Sequence, residues 1–259
     1  MNSDNAIQVH MFPCLEDNYG YLVHDPETGA TATIDTPEVE PIERALRETG
    51  WQLTHILNTH HHFDHAGGNL DLKDKTGCTI VGPRADAARI PGIDVEVGDG
   101  DTFLLGNQAA TVFDTPGHTS GHIVYYFSKC GVAFVGDTLF ALGCGRLFEG
   151  TPEQMWNSMQ KLLKLPDDTT VYCAHEYTQA NANFAVTVDP DNSALQTRAG
   201  EIAALRAANK PTIPTSIGLE RATNPFMRPD SPAMRATLGM PDASDVEVFA
   251  EVRARKDNF

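Results

Sequence analysis

Five side chains that can bind a metal ion stand within one short internal segment of the chain. The segment reads His60-His61-His62-Phe63-Asp64-His65. Histidine offers a neutral imidazole nitrogen and aspartate an anionic oxygen, a combination that suits zinc, iron or manganese. Because side chains alternate sides in an extended chain, we expect His60 and His62 to point one way and His61 the other. Asp64 and His65 then approach the same point after a turn.

A run of three histidines also occurs in tags and in solvated loops. Tags stand at a chain terminus, whereas this run is internal, and neither a tag nor a solvated loop requires the Asp-His pair that follows. We therefore interpret residues 60–65 as a metal-binding motif.

The same ligand types recur at three later positions, each just after a predicted strand. His118 follows in a Thr-Pro-Gly-His turn, Asp137 in Val-Gly-Asp-Thr and His175 in Cys-Ala-His-Glu. Open α/β sheets present their chemistry where a strand gives way to a loop. A lone histidine in a Pro-Gly turn is more often structural. Together with the 60–65 motif, however, the three positions predict a single site.

Short apolar runs separated by turns predict the strands that must position these side chains. The predicted strands are 19–23, 30–34, 54–57, 79–81, 102–105, 110–113, 123–127, 132–135 and 171–173. Helices are predicted at 38–50, at 84–89 and at 152–164, where Pro152 suits a first helical turn.

After His175 the pattern becomes helical. The residues Asp-Asn-Ser at 191–193 offer an N-cap for a helix at 193–209, and 244–255 is a second helix. A proline-rich connector, 211–241, separates the two. Strands interleaved with helices and then a helical tail predict a layered α/β domain with a small helical domain behind it.

The composition is that of a globular protein and argues against several partners. A hydrophobic content of 41% and a charged content of 21% suit a sizeable core. The net charge of -16 argues against nucleic acid or an anionic membrane as a main partner. No stretch approaches ~18 consecutive apolar residues, so no membrane span is expected. Residues 1–12 lack the basic and apolar parts of a signal peptide.

The cysteines point to a reducing compartment. The chain has five, scattered and without a CxxC pair. This pattern argues against a disulfide framework and favours the cytoplasm.

These motifs resemble the metallo-β-lactamase superfamily and, within it, the glyoxalase II (hydroxyacylglutathione hydrolase) family. The HxHxDH pattern, the turn histidine, the Gly-Asp pair and the final histidine specify only the superfamily. The features that narrow the resemblance are Gly-Cys-Gly-Arg at 143–146, His-Glu-Tyr-Thr at 175–178, Asn-Pro-Phe-Met-Arg at 224–228 and the basic run at 253–256. The likeness covers essentially the whole chain.

The resemblance implies an α/β fold, a four-layer αββα metallo-β-lactamase sandwich with a small C-terminal helical domain. Residues 1–175 would form the catalytic domain, and residues 176–259 would form the helical substrate-binding domain.

The resemblance also implies two divalent metal ions per chain. We expect Zn²⁺, with iron and manganese as alternatives, because metal availability decides what such a site takes up. The implied ligands are His60, His62 and His118 for one metal, Asp64, His65 and His175 for the other, and Asp137 as a bridge. Asp64, His65 and Asp137 would be the catalytic residues. A hydroxide held between the two metals would attack a thioester carbonyl, and no protein nucleophile is required.

A glutathione thioester carries carboxylates, which need arginine or lysine nearby even in an acidic protein. The resemblance places substrate contacts at Arg146, Phe148, Tyr177, Arg253 and Lys256. Some relatives carry lysine in place of Arg146 and tyrosine in place of Phe148, and phenylalanine cannot donate a hydrogen bond. The cations near the C-terminus could instead serve only to stabilise a helix end. We favour substrate binding.

Residues next to the ligands are also predicted. Metal-bound histidines usually donate their other nitrogen to a carboxylate or carbonyl. Asp35 is a candidate partner, with a simple turn aspartate as the alternative. His122 is expected to support the site without binding metal. His10, His24 and His55 have no motif support and are expected at the surface or in the core.

The expected activity is hydrolysis of S-D-lactoylglutathione and related 2-hydroxyacylglutathiones to D-lactate and glutathione, the second step of methylglyoxal detoxification. The expected protein is a cytoplasmic monomer that binds neither nucleic acid nor membrane. One alternative is a glutathione persulfide dioxygenase with a single iron. The other is a non-catalytic metal-binding protein of the same fold. His175 and the basic tail favour the two-metal thioesterase.

Overall fold

The structure, a computed structural model, describes residues 6–259. Residues 1–5 belong to the segment for which we predict no signal peptide, and they lie outside the described residues. The chain divides into two compact units. The first comprises the chain up to Asp114 together with Ser120–Gly136, and the second comprises Thr115–Thr119 and Asp137–Phe259.

The first unit contains a sheet that changes from antiparallel to parallel pairing. In spatial order its strands are β1 (Gln8–Cys14), β2 (Asn18–His24), β3 (Thr31–Ile34), β4 (His55–Leu57), β5 (Thr79–Pro83) and β6 (Val95–Val97). Strands β1 to β3 pair antiparallel, and β3 to β6 pair parallel. Parallel pairing requires crossover connections, and helix α1 (Val39–Thr49) fills the one between β3 and β4. Helices α2 (Phe63–Ala66) and α3 (Asn69–Thr76) lie in the connection between β4 and β5. The metal-binding motif, residues 60–65, follows the C-terminal end of the parallel strand β4.

A second set of strands in the first unit is antiparallel throughout. Its members are β7 (Thr102–Leu105), β8 (Gln108–Asp114), β9 (Ile123–Phe127) and β10 (Val132–Gly136). Tyr21 on β2 and Phe134 on β10 meet with ring centroids 5.7 Å apart, so the two sets of strands pack face to face. Ile42 of α1 packs in the buried cluster that also holds Ile56 and Ile80. Helix, sheet and sheet therefore form successive layers within this unit.

The second unit is mostly helical. Its elements are β11 (Leu139–Phe140), β12 (Gly143–Cys144), α4 (Pro152–Leu162), β13 (Thr170–Cys173), α5 (Thr178–Val188), α6 (Ser193–Ala207), β14 (Thr215–Ser216), α7 (Ile217–Thr223), α8 (Pro232–Leu238) and α9 (Asp245–Asp257). Capping boxes at Thr151 and Ser244 begin α4 and α9. Trp156 and Phe249 join these two helices, with ring centroids 6.1 Å apart.

The structure confirms the predicted strands and helices, with residues 84–89 forming a 3₁₀ helix. It also contains elements that the sequence analysis did not predict, including the strands β1 and β6 and the helix α5. The connector 211–241 contains two further helices, α7 and α8, because Ser216 and Ser231 cap their first turns. Pro232 stands at the start of α8, where the N–H that proline lacks would have no partner within the helix. Within residues 6–259, no helix combines the length and the apolar character needed to cross a bilayer. The predicted boundary between residues 1–175 and 176–259 stays a prediction.

Asp25 ties two turns of the first unit together. Its buried carboxylate accepts hydrogen bonds from the Thr28 hydroxyl (2.6 Å), the Asn107 backbone N–H (2.9 Å) and the Gln108 side chain (3.3 Å). Burial by itself would raise the pKa of Asp25, but these hydrogen bonds outweigh it and lower the pKa below its ordinary value. The charged carboxylate therefore stabilises the fold.

We expect Asp25→Asn to lower the free energy of unfolding by about 2 kcal/mol at neutral pH, because charge-assisted bonds are lost. Since the folded pKa is lowered, this contribution is present above the unfolded value of ~3.9 and is lost as the pH falls through the folded value. Urea unfolding from pH 7 to pH 3 measures both effects. Asp71→Asn on an exposed helix face is the control, and an equal effect of the two changes would contradict the assignment.

Candidate metal centre

The first two candidate ligands follow directly from strand β4. His60 is fully buried, and its Nε2 lies 3.1 Å from Nδ1 of His62. His61 points elsewhere, with its Nδ1 3.1 Å from a carboxylate oxygen of Asp86. The predicted alternation is therefore confirmed. Asp86, the partner of His61 Nδ1, has no sequence signal that marks it, and the His61 ring still lies 4.9 Å from that of His62 between centroids.

The next two candidates lie on a single turn of helix, α2 (Phe63–Ala66), where the sequence predicts only a turn. This turn brings His65 Nε2 to 3.3 Å from an Asp64 carboxylate oxygen. The Asn18 side chain donates to the same oxygen at 3.2 Å, a contact that sequence reasoning missed. Because Asn18 begins a strand 46 residues earlier, only the folded chain brings the two together.

Asp35 orients this part of the site. Its carboxylate accepts from the Thr59 backbone N–H at 2.7 Å and the Thr59 hydroxyl at 2.8 Å, and its Oδ2 lies 2.8 Å from His65 Nδ1. The predicted contact with a ligand histidine is confirmed. With Nδ1 as the donor, the lone pair of His65 resides on Nε2, where a metal can use it. Asp35 has a φ of 57°, a costly conformation that persists because the fold holds it.

The remaining histidines of the first unit have other roles. His122 is fully buried and stacks on His60 with ring centroids 4.8 Å apart, which agrees with its predicted supporting role. His24 stacks on the indole of Trp51, and His55 meets the ring of Phe103 edge-on. His10 lies 3.9 Å from Glu48.

In the second unit, two imidazoles face one carboxylate. Oδ2 of Asp137 lies 3.3 Å from His118 Nε2 and 3.4 Å from His175 Nε2. All three side chains are buried. His118 Nδ1 lies 2.9 Å from the backbone carbonyl of Arg146 and donates to it, which leaves the lone pair on Nε2. An anionic oxygen between two such nitrogens is a suitable bridging ligand.

Aromatic rings cover the outer side of these two histidines. Phe148 contacts the His118 ring at 5.2 Å between centroids, and Tyr177 stacks on His175 at 4.7 Å, almost parallel. Phe148 is 64% exposed and Tyr177 is 37% exposed. Both therefore offer a ring face or a hydroxyl group to a molecule that approaches the histidines.

A group of cations lies within the same unit. The Lys256 ammonium donates to the Ala180 carbonyl at 3.2 Å and is half-buried. Burial lowers the pKa of Lys256, and the charges of Arg253 and Arg146 lower it further. Arg253 is itself buried, and it donates to the Cys144 carbonyl at 2.9 Å and to Asp257. Arg146 is mostly exposed.

The cysteines of the unit do not supply a nucleophile. Burial raises the pKa of Cys144 to about 11 and raises the pKa of Cys173 still further. Both therefore carry neutral thiols near pH 7, and the thiolate is the reactive form. This agrees with the prediction that the chemistry requires no protein nucleophile.

The donor atoms fit divalent cations. All seven predicted ligands belong to groups of His and Asp side chains that could hold a metal ion. Imidazole nitrogens that carry lone pairs lie near 3.3 Å from carboxylate oxygens in both units. Two acceptors so close together need a proton or a cation to offset their repulsion, above all the buried pair of His118 and Asp137. Mixed imidazole and carboxylate ligands suit zinc, iron and manganese.

Comparison with known proteins agrees with this donor set. The family model of the metallo-beta-lactamase superfamily matches residues 27–175, and the model of the hydroxyacylglutathione hydrolase C-terminus matches residues 176–259. The hydroxyacylglutathione hydrolase of Maricaulis maris is 59% identical over 255 residues, which cover 98% of this chain and 100% of that protein. The chain belongs to the hydroxyacylglutathione hydrolase family. The enzyme of that name from Methylococcus capsulatus is 56% identical, covering 98% of this chain and 99% of its own.

A solved structure is also similar to this chain. The crystal structure of ETHE1 from Myxococcus xanthus superposes with a TM-score of 0.69 at 27% sequence identity, covering 95% of this chain and 90% of that one. The fold is thus a metallo-β-lactamase domain followed by a helical C-terminal domain, as the motifs predict. Divalent metal binding follows from this fold and from the groups of His and Asp side chains.

We expect Asp35→Asn to weaken metal binding about 10- to 100-fold, the usual cost of removing the partner of a ligand histidine. Asparagine tolerates the positive φ, so the backbone is preserved and only the carboxylate is lost. Competition with a chromophoric chelator measures the change. Asp25→Asn, which removes another buried carboxylate of the same unit, is the control and should bind metal like the wild type. Equal affinities of Asp35→Asn and the wild type would refute the role.

Proposed function

We propose that this chain hydrolyses the thioester bond of 2-hydroxyacylglutathiones, with S-D-lactoylglutathione giving D-lactate and glutathione. The observation that carries the proposal is full-length similarity to hydroxyacylglutathione hydrolases in a chain that keeps every predicted ligand. The proposed physiological role is the second step of methylglyoxal detoxification.

We propose that the chain binds two divalent cations, Zn²⁺ being our first choice and iron or manganese the alternatives. The proposed ligands are His60, His62 and His118 for one ion, Asp64, His65 and His175 for the other, and Asp137 for both. The donor chemistry of each unit supports this assignment. When bound, such a pair of cations supplies Lewis-acid chemistry, because it activates water and polarises a carbonyl group.

The side chains of this protein prepare that chemistry. Asp64 accepts a hydrogen bond from Asn18 at one carboxylate oxygen, and it is thereby held in position to orient water. Asp35 and the Arg146 carbonyl fix the tautomers of His65 and His118. We propose Asp64, His65 and Asp137 as the catalytic residues, since they would touch the reacting water through the bound ions. Hydrolysis adds water at the carbonyl carbon and releases glutathione as the thiol.

The proposed glutathione contacts are in the second unit. Arg146 and Lys256 supply charge for the substrate carboxylates, and Arg253, a predicted contact that is buried, adds a third positive charge near Lys256. Tyr177 offers a hydroxyl group. Phe148 offers only a ring face, so it would contact apolar atoms of the substrate. Burial is the main cause of the lowered pKa of Lys256, and the positive charges of Arg253 and Arg146 lower this pKa further, so an anionic ligand would stabilise the charged form.

Location and assembly are also proposals. Residues 6–259 contain five free cysteines and no disulfide, which is consistent with a reducing cytoplasm. We propose a monomer with a small-molecule substrate, and with neither nucleic acid nor a membrane as a partner. Size-exclusion chromatography with light scattering measures the assembly state.

Metal analysis combined with a thioester assay tests the proposed function. We expect close to two metal ions per chain and rapid loss of thioester absorbance with S-D-lactoylglutathione. One iron per chain with oxygen uptake on glutathione persulfide would establish the dioxygenase instead. Bound metal without either activity would establish a non-catalytic metal-binding protein.

We expect His175→Ala to lower the metal content from two ions to about one, because it removes a nitrogen ligand of the second ion. Elemental analysis after removal of loosely bound metal measures the stoichiometry. His55→Ala, which removes a histidine assigned no metal role, is the control. An unchanged stoichiometry in His175→Ala would refute the ligand assignment.

We expect Lys256→Met to raise KM about tenfold with a smaller change in kcat, because it removes uniform substrate binding. Because its pKa is lowered, Lys256 loses its proton at a lower pH than an ordinary lysine at ~10.4. KM of the wild type should therefore rise on the alkaline side, and Lys256→Met should lack this rise. Lys164→Met is the matched control. A KM that rises with pH to the same extent in Lys256→Met would contradict the assignment.

A further inference from the structure

The turn between strands β11 and β12 is held by buried side chains at every residue from Phe140 to Cys144. We refer to these five residues as the 140–144 turn. The contacts are Asn224 Nδ2 to the carbonyls of Phe140 (3.1 Å) and Gly143 (3.0 Å), Asn181 Nδ2 to that of Ala141 (3.1 Å), Arg253 Nη1 to that of Cys144 (2.9 Å), and the Leu142 N–H to Glu220 Oε2 (2.8 Å).

The side chains that bond to the 140–144 turn are polar or charged although they are buried. Glu220 and Asn224 are fully buried. Glu220 also pairs with buried Arg198 at 2.5 Å and accepts from Asn224 at 3.0 Å. Burying a charge pair contributes little or nothing to stability compared with apolar residues of the same volume, whereas its hydrogen bonds fix direction. Such a network is therefore suited to holding a backbone in one geometry.

The backbone that it holds is strained. Leu142, at the centre of the turn, has a φ of 58°, in the left-handed region that residues with a branched side chain seldom adopt. This conformation persists only where surrounding contacts over-determine it. The bond from its N–H to Glu220 is such a contact.

The 140–144 turn is followed closely by the carbonyl group that accepts a hydrogen bond from His118, a predicted ligand. Two residues beyond it, the Arg146 carbonyl accepts the Nδ1 hydrogen of His118. Between them, the Gly145 N–H donates to the Thr138 carbonyl at 3.3 Å. A Cβ atom on Gly145 would collide with the carbonyl oxygen of Asp137 and lie 3.1 Å from His118 Nδ1. A displacement of the turn therefore moves the group that orients His118.

We propose that Glu220 and Asn224 are positioning residues for the metal centre. By fixing the 140–144 turn they fix the Arg146 carbonyl, and this carbonyl keeps the Nε2 lone pair of His118 directed at the position that a cation would occupy beside Asp137. The proposal rests on the proposed function only in that His118 binds a metal. Glu220 and Asn224 thereby influence metal affinity, although neither contacts the metal ion or the substrate.

The test compares two isosteric variants with a control. Asn224→Asp removes both N–H donors to the turn, and Glu220→Gln removes the charge while keeping the shape. Arg235→Gln is the control, because it breaks an ion pair of the same helical segment, with Asp245 at 2.6 Å, that lies outside the network of the turn. Gly145→Ala is a positive control, because its Cβ atom would press directly on the Asp137 carbonyl while the buried network stays intact.

The readouts are the dissociation constant for Zn²⁺ from chelator competition, the visible spectrum of the Co²⁺-loaded protein and Tm. We expect Asn224→Asp, Glu220→Gln and Gly145→Ala to weaken Zn²⁺ binding about 10- to 100-fold and to alter the Co²⁺ bands. Arg235→Gln should keep the wild-type affinity and spectrum, even where its Tm falls as far as theirs.

The proposal is overturned if Asn224→Asp and Glu220→Gln keep the wild-type Zn²⁺ affinity and Co²⁺ spectrum while only Tm falls, because the network is then purely structural. It is also overturned if Arg235→Gln weakens the affinity equally at a matched Tm. None of these readouts uses a thioester. Wild-type protein that binds metal but hydrolyses no glutathione thioester would thus refute the proposed function and leave this inference standing.

Discussion

The tautomer of each buried imidazole is the constraint on which the rest of the site depends. A neutral imidazole has one donor and one acceptor nitrogen, and only the acceptor can bind a cation. In the first unit, Asp35 takes the hydrogen of His65 Nδ1, and in the second unit the Arg146 carbonyl takes that of His118. In both cases Nε2 is left to face a carboxylate oxygen. Further contacts of the fold keep these two acceptors in position.

The two acceptors are held by different means. Asp35 stands at the end of the buried strand β3, and Thr59 donates to it twice, so that parallel pairing of β3 with β4 brings carboxylate and ligand segment together. The Arg146 carbonyl lies in a loop without regular structure. Its position depends on side chains of the helical tail that reach the preceding turn. The tail thus supports a candidate ligand of the second unit.

The proposed substrate contacts in the second unit include the cations Arg146, Arg253 and Lys256, in a chain whose net charge is -16. Burial disfavours the charge of Lys256 in the free protein, and the positive charges of Arg253 and Arg146 lower the pKa of Lys256 further. A group of positive charges is less unfavourable when the carboxylate of a bound ligand lies near it. Arg253 differs from the other two because its guanidinium is buried against Cys144 and over the ring of Phe226 at 5.1 Å.

The sequence by itself determined the ligand types, their order and the alternation that separates His61 from its neighbours. These features follow from local periodicity and from side-chain chemistry, which do not depend on distant contacts. The sequence also indicated Asp35, because an aspartate at a strand end is suited to such a contact. Most of the strands and the helices α1, α4, α6 and α9 were predictable for the same local reason, whereas β1, α5 and the helices of the proline-rich connector were not predicted.

Only the tertiary structure decided which groups support the ligands. Asn18 reaches Asp64 across 46 residues, and Glu220 reaches Leu142 across 78. No spacing rule connects residues so far apart, since their meeting depends on how whole elements pack. The tertiary structure likewise showed that Arg253 is buried while Arg146 is exposed, although both have the same side chain. Charge and ligand type are properties of the sequence, whereas the direction and the burial of a side chain depend on its tertiary contacts.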